Sequence, residues 1–491
     1  MKKEEEVVVL FPSPGMGHLI SMVELGKFIL SLNQSSSSLS IVILTIDPPF
    51  NTGSTSAYIS TVSAQVPSIR FHTLPPITLP NDPSSYPNIE SITFDLLRLH
   101  DPNVRSALQS ISLSTGSNIS AFIIDLFCSS AFSIGINLNI PTYHFWTSGI
   151  GCLSCFFYFP QLHETIPGRL RDWKQIVEIP GLPSCAAIDL PSPMLDRDSY
   201  PYNKFLELSL QLHDSSGILV NSFDSLEPDS LKALQGGLCL PDKLPTPPAI
   251  YCVGPLIASG REKSSTDVRH ECLTWLDTQP TRSVVYLCFG SQGAFSAEQL
   301  KEMAVGLEKS GQRFLWVVRS PPSKEANDYF LPRPEPDLDT LLPGGYLERV
   351  SGRGMVVKSW APQVSVLGHE SVGAFVTHCG WNSVLEAVLA GVPMVTWPLY
   401  AEQRHNKVIL VEGLKLALAM MNEEEEEEGG LVMAETVERL VREIMESEEA
   451  KSIRDRVRVA RGGALAAMGE EGSSLTGLTK FKESLKRRSS S

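Results

Sequence analysis

Short apolar runs recur along the whole chain without the polar alternation that a half-exposed strand would show. In the first half they are Val7–Phe11, Leu39–Ile46, Ile69–Leu74, Ala121–Leu126, Thr142–Trp146 and Ile218–Phe223. A strand covered on both faces has no use for alternation, so such runs point to a parallel sheet with helices on either side. The stretches between them suit crossover helices, which gives repeated βαβ units and an α/β fold. A second series follows: Val284–Phe289, Phe314–Val318, Met355–Lys358, Ala374–Thr377 and Met394–Trp397. Between its first two strands, Ser296 and Gln299 have the spacing of a capping box. Leu300, Met303, Ala304 and Leu307 then share one helical face.

The chain has 491 residues, more than one ordinary core serves. The expected division is an N-terminal domain over 1–253, a linker over 254–272 centred on the polar stretch 258–267, and a C-terminal domain over 273–467. A last helix, 468–491, is expected to pack back on the N-terminal domain. Proline- and serine-rich breaks at 75–87 and 180–193 read as long surface loops. Two doubly wound domains facing each other across a cleft would place chemistry at the carboxyl ends of their strands.

A formal net charge of −14 argues against a nucleic-acid or anionic-membrane partner. Part of that charge is the run Glu423–Glu428, read as a solvated loop. The N-terminal stretch is too short in apolar residues for a signal peptide, and no run approaches a membrane span. Nine cysteines without framework spacing suggest reduced thiols in the cytoplasm. Cys152 and Cys155 form a C-x-x-C set among apolar residues, read as buried thiols. The expected state is a monomer.

Between Trp360 and Gln403 the chain reads WAPQVSVLGHESVGAFVTHCGWNSVLEAVLAGVPMVTWPLYAEQ. A strand ends at His378-Cys379-Gly380, a helix begins near Asn382, and Gly391 and Pro393 stop it. Strand, glycine turn and helix N-terminus make an anion site, where backbone N–H groups and the helix dipole point at one spot. His378, Asn382 and Ser383 can add side-chain donors. Glu386, one turn on, can accept from a ribose diol, and Trp360 offers a flat surface to a base.

Near the N-terminus, Val7–Phe11 runs into Pro12-Ser13-Pro14-Gly15-Met16-Gly17-His18, with a helical pattern from Leu19. This places His18 beside Asp125, which ends the run AFIIDLF at the same sheet edge. A histidine is the natural general base for a phenol near neutral pH, and a carboxylate on its remote nitrogen fixes its tautomer. Phe127, Trp146, Thr147 and Ser148 follow strand ends nearby and can line an acceptor pocket; core packing is the other reading of each aromatic.

The 360–403 segment resembles the nucleotide-sugar signature of the plant family 1 UDP-dependent glycosyltransferases over all its 44 residues. WLDTQPTRSVVYLCFGS from Trp275, FLWVVRSPP from Phe314 and PSPGMGHLISMVELGK near the start also resemble that family. The likeness is greatest to the subgroup acting on chalcones, dihydrochalcones and other flavonoids. It implies a GT-B fold of two facing Rossmann-like domains, and an inverting transfer from UDP-glucose, a co-substrate, with no cofactor and no metal.

By the resemblance, Trp360 stacks on uracil and the Ala361 backbone pairs with it, while Gln363 and Glu386 hold the ribose. His378, Asn382, Ser383 and Ser291 bind the diphosphate, and Glu402 and Gln403 bind the sugar. Gln403 favours glucose. Trp381, at the donor site, stands where some glucuronate-using relatives carry arginine. The catalytic pair falls on His18 and Asp125, and Pro14 joins the acceptor side.

Other readings leave traces. Asp196-Arg197-Asp198 and Asp337-Leu338-Asp339 have the D-x-D spacing of a metal-dependent transferase, but in proline-punctuated loops. Gly15-Met16-Gly17 with Asp47 suggests a dinucleotide fingerprint, yet its third glycine position holds Ile20. A non-catalytic metabolite-binding protein and a C-glycosylating enzyme are the remaining alternatives.

Overall fold

The computed structural model describes residues 5–32, 38–49, 55–116, 118–240, 246–258, 269–322, 333–421 and 430–489. The run Glu423–Glu428 and all but the first residue of the polar stretch 258–267 lie outside them. Two compact units make up the chain. One comprises Met1–Ala187, Pro193–Ile257 and Ala466–Ser491; the other comprises Ile188–Ser192 and Ala258–Leu465.

The first unit is built on a seven-stranded sheet of order β3-β2-β1-β4-β5-β8-β9. Its strands are β1 Glu5–Phe11, β2 Ser38–Thr45, β3 Ile69–Thr73, β4 Ile119–Asp125, β5 Thr142–Trp146, β8 Ile218–Val220 and β9 Ile250–Cys252, and every pairing is parallel. A small antiparallel pair, β6 Ile176–Val177 and β7 Cys185–Ala186, stands apart. Residues one apart on a strand feed opposite faces, and both faces are buried. Val8, Leu10, Ile41, Ile43, Ala121 and Ile123 enter one core, where helix α1 (Met16–Ser31) contributes Leu19, Met22 and Val23. Val7, Val9, Phe11, Leu44, Phe122 and Ile124 enter the other. Leu478, Phe481 and Leu485 of the last helix, Ser473–Ser489, complete the first core. Helix α2 (Ile150–Thr165) is apolar nearly all round and correspondingly buried.

The second unit repeats the plan with β10 Val284–Cys288, β11 Arg313–Val318, β12 Gly354–Lys358, β13 Val372–Thr377, β14 Met394–Thr396 and β15 Ala417–Ala419. They form a parallel sheet of order β12-β11-β10-β13-β14-β15. Helix α3 (Ala297–Ser310) buries Leu300, Met303, Ala304 and Leu307 and ends at Gly311, whose φ of 69° lies in the left-handed region that favours glycine. Helices α4 (Trp381–Ala390) and α5 (Gln403–Val408) follow β13 and β14.

Four expectations need correction. Ser296 does cap α3, accepting from the Gln299 amide at 3.1 Å, but Gln299 does not reach back. Its side chain instead pairs both ways with the Val432 backbone at 2.9 Å, a stronger use of a buried amide than a solvent-side cap. The 218–223 run is strand only to Val220, where the chain turns into a buried hydrogen-bonded corner at Asn221 and Ser222. The 180–193 stretch is not simply a surface loop, because Asp189, Leu190 and Pro191 are buried. Lastly, α1 begins at Met16, three residues before Leu19, because Gly15 takes the sharp bend (φ 128°).

All nine cysteines, Cys152 and Cys155 among them, are buried, and none is in a disulfide among the described residues. No helix among the described residues is long and apolar enough to cross a membrane.

Candidate functional site

In each sheet the chain order reverses beside the first strand, between β1 and β4 and between β10 and β13. In sheets of this kind, the carboxyl ends of the strands at such a reversal are where ligands bind. The charged and polar candidates gather at these two points.

In the first unit, Phe11 pairs with Ile124, so β1 and β4 end level. Asp125, wholly buried, closes β4, and His18 sits in the first turn of α1. His18 Nδ1 and Asp125 Oδ2 are 2.9 Å apart. The other carboxylate oxygen accepts from Ser13 Oγ at 2.6 Å. A buried carboxylate is costly to leave without partners on its oxygens, and here each oxygen has one. The imidazole is 29% exposed, so its far side meets solvent while its near side is anchored.

Ser13 was passed over in the sequence. The only signal was a small hydroxyl residue two positions past a strand, and its partner lies 112 residues away.

Phe127, two residues after Asp125, sets its ring edge-to-face with His18 at 6.1 Å and packs on Phe94 and Phe205. Pro14 and Thr147 are partly buried. Trp146 is 1% exposed and packed edge-on against Phe156. Ser148 is buried at the entry to α2. There Glu227 accepts from the Ile150 and Gly151 amides at 2.9 and 2.8 Å and also from Ser222. Burial pushes this carboxyl up, and those donors pull it back. It acts as a remote cap for α2.

In the second unit, β13 passes to α4 through His378-Cys379-Gly380. Cys379 takes a φ of 67°, rare for a residue with a side chain. Two contacts hold it there: its amide donates to Thr377 Oγ1, and its carbonyl accepts from Asn406 Nδ2 at 2.9 Å. Asn406, wholly buried, is the second residue the sequence reading missed; a lone asparagine on a helix carries no pattern.

The His378 ring lies between two glycines. A Cβ on Gly290 would come within 2.6 Å of its Nε2, and one on Gly380 within 2.5 Å. Burial, aided by the positive charge of Arg319, holds His378 down at about 4, so it is a neutral imidazole. Its Nδ1 is buried without a hydrogen-bond partner. Arg319 follows β11, at the same sheet edge.

Gly380, the N-cap of α4, has no side chain to offer, and the helix dipole points toward the turn that carries His378. Ser291 is exposed just past Gly290. Trp381 is the first residue of α4 with its side chain 3% exposed, so at this site it can offer backbone only. Asn382 and Ser383 follow. Gln363 Nε2 bridges Ser383 Oγ at 2.8 Å and Glu386 Oε2 at 2.7 Å. Burial pushes Glu386 up to about 7, against the pull of that amide.

Ala361 is buried, whereas Trp360 is 61% exposed, the one exposed tryptophan among the described residues. A large apolar ring left in water at a sheet edge is a platform for a flat partner. His270 meets it edge-on at 5.7 Å. Glu402 is half-buried ahead of α5, and Gln403 Oε1 accepts from the Leu399 and Tyr400 amides at 2.9 and 3.0 Å. The Gln403 oxygen is thus committed to its own loop.

The D-x-D carboxylates have other duties. Asp337 caps the helical turn Leu338–Leu341, and Asp198 pairs with Arg169.

Residues 252–446 match the family model of UDP-glucuronosyl and UDP-glucosyl transferases. The chain is 50% identical to UDP-glycosyltransferase 88F3 of Pyrus communis over 489 residues, 98% of this chain and 99% of that one. It is also 50% identical to a phloretin 2'-O-glucosyltransferase of Malus domestica over 491 residues, with the same shares covered. Among solved structures, Phytolacca americana UGT2 complexed with UDP-2-fluoro-glucose and pterostilbene superposes with a TM-score of 0.84. That match has 36% identity and covers 98% of this chain and all of that one. The fold class is therefore α/β of the GT-B type, and the chain belongs to the UDP-glycosyltransferase family.

Proposed function

We propose that this enzyme is an inverting glucosyltransferase that moves glucose from UDP-glucose to a phenolic hydroxyl of a flavonoid, chalcone or dihydrochalcone. The observation that carries the proposal is the His18–Asp125 pair, with Ser13 on the second carboxylate oxygen. Asp125 engages Nδ1, which fixes the ring proton there and leaves Nε2 as the base. Nε2 takes the phenol proton as the oxygen attacks the anomeric carbon from the side opposite UDP. The bond to the diphosphate breaks and the configuration inverts. Buried Asp125 stabilises the imidazolium that results.

The second unit binds the donor. Trp360 takes the uracil, whose edge pairs with the Ala361 backbone, and Glu386, oriented by Gln363, accepts from the ribose diol. Neutral His378, Ser291, Asn382 and Ser383 hold the diphosphate at the start of α4, where the leaving charge is met by preorganised dipoles. Glu402 and the Gln403 amide nitrogen take the sugar hydroxyls. UDP-glucose is a co-substrate, and no metal or cofactor enters the reaction. The aromatic acceptor is supported by Phe127 beside His18 and by the acceptors that relatives are named for. Nine buried thiols outside any disulfide support a cytoplasmic location, and we take the working form to be a monomer.

The test is mass spectrometry of product from purified protein, UDP-glucose and a panel of flavonoids and simple phenols, with and without EDTA. A gain of one hexose, released by acid and indifferent to EDTA, is the expected result. An acid-stable hexose would replace O-transfer by C-transfer. Absence of product from every acceptor, with UDP-glucose bound, would refute the proposal.

A further inference from the structure

Residues 188–192 interrupt the first unit in sequence and belong to the second. They meet the loop between β14 and α5 at two points. The Ser192 amide donates to the Ala401 carbonyl at 2.9 Å. Asp189 Oδ1 lies 3.3 Å from both Arg404 Nε and Lys407 Nζ, two residues on one face of α5. Asp189 is buried and Lys407 nearly so. A carboxylate enclosed in this way cannot exchange its cations for water, so the contact fixes geometry even where it adds little stability.

What it fixes is the pair of residues between the two points. Ala401 holds a φ of 57°, a conformation that needs outside support in a residue with a side chain, and Ser192 supplies it. Glu402 and Gln403 come next. Gln403 Oε1 ties back to Leu399 and Tyr400, so its amide nitrogen is aimed by the loop as a whole. The start of α5 is held again by Asn406 on the Cys379 carbonyl.

We propose that segment 188–192 is a strap that positions Glu402 and Gln403, making Asp189 a specificity-determining residue for the transferred sugar from outside the 360–403 signature. The inference rests on the reading of Glu402 and Gln403 as sugar ligands. Asp189 itself touches no substrate. Loosening the strap lets the loop relax, which costs the sugar contacts and leaves the uracil, ribose and diphosphate contacts intact.

The experiment compares Asp189→Asn with the parent for binding of UDP and of UDP-glucose, and for turnover with UDP-glucose against UDP-galactose. UDP affinity should stay within about twofold, while UDP-glucose affinity falls about tenfold and the preference for glucose shrinks. That is the order of effect expected when the support of a positioned group is lost. Should Asp189→Asn fold poorly, Arg404→Met removes one cation of the same contact from its more exposed end and should act in the same direction. Parallel loss of UDP and UDP-glucose affinity, or no change in either, overturns the strap. Gln403→Ala separates the two levels. If it weakens UDP-glucose but not UDP while Asp189→Asn does neither, the strap fails and the sugar-ligand reading stands. If Gln403→Ala itself spares UDP-glucose, that reading fails as well.

Discussion

In the proposed reading, donor binding and stability pull against each other at Glu386. Burial raises its pKa from 4.5 to about 7, with only the Gln363 amide offsetting the loss of water. Between those pH values the folded chain holds a proton that the unfolded chain has released. Stability therefore falls as pH rises from 4.5, and the loss is complete above about 7. Each tenfold in proton affinity is worth about 1.4 kcal/mol, so the full penalty is roughly 3 kcal/mol.

Glu386→Gln keeps the shape and an oxygen for Gln363 Nε2 but carries no charge to desolvate. At pH 8 the variant should be the more stable, by up to roughly 3 kcal/mol. In the unfolding transition of the second unit that is on the order of 5–10 °C. Near pH 5 the two proteins should differ by less than about 1 kcal/mol. Calorimetry at pH 5, 6.5 and 8 without ligand reads this directly. UDP affinity should move the other way. The diol needs the charged acceptor, so in the parent UDP binding strengthens as pH rises through about 7, and in the variant it is weak and flat. A variant no more stable than the parent at pH 8, or a gap that persists unchanged at pH 5, would refute the reasoning.

Four further outcomes follow from the same geometry. His18→Ala should cut turnover with a phenol by about 10²–10⁴-fold, the usual share of a general base, while UDP affinity by calorimetry stays unchanged. Ser13→Ala leaves a buried carboxylate oxygen unpaired; it should cost about 1–3 kcal/mol of first-unit stability by denaturant titration and lower turnover without altering UDP binding. Gly380→Ala, where φ is an ordinary −61°, tests crowding alone. It should displace His378 and weaken UDP binding, and Gly290→Ala should cost more stability in thermal unfolding because its φ of +73° adds strain. Asn406→Leu should destabilise the Cys379 turn by about 1–3 kcal/mol and weaken UDP and UDP-glucose alike in binding assays, unlike Asp189→Asn.

The sheets were legible in the sequence because strands buried on both faces write themselves as unbroken apolar runs. Each run named at the start contains a strand. The edge strands β9 and β15 did not announce themselves, although β8 and β14 are no longer and were read from the wider apolar runs around them. On the site side, the local frame of His18 and of the residues from Trp360 to Gln403 was legible because strand ends, glycine turns and helix starts fix it locally. What the chain cannot signal locally was missed. Ser13 finds Asp125 across 112 residues, and Gln299 finds Val432 across 133. Trp146 and Trp381, both buried, carry a different ambiguity: an aromatic beside a strand end reads the same whether it faces a ligand or the core.

The last helix has a consequence for how the protein is made. Leu478, Phe481 and Leu485 cover a face of the first sheet that Val8, Leu10, Tyr143 and Tyr251 also build. During synthesis those residues emerge early, and the helix that covers them follows only after about 200 residues of the second unit. At roughly 5–20 residues per second, the uncovered apolar face waits on the order of 10–40 s on the ribosome. Over that interval the first unit is a client for chaperones and a seed for aggregation. A first half expressed without residues 466–491 would remain in that state permanently, and supplying the helix as a separate peptide should rescue its solubility.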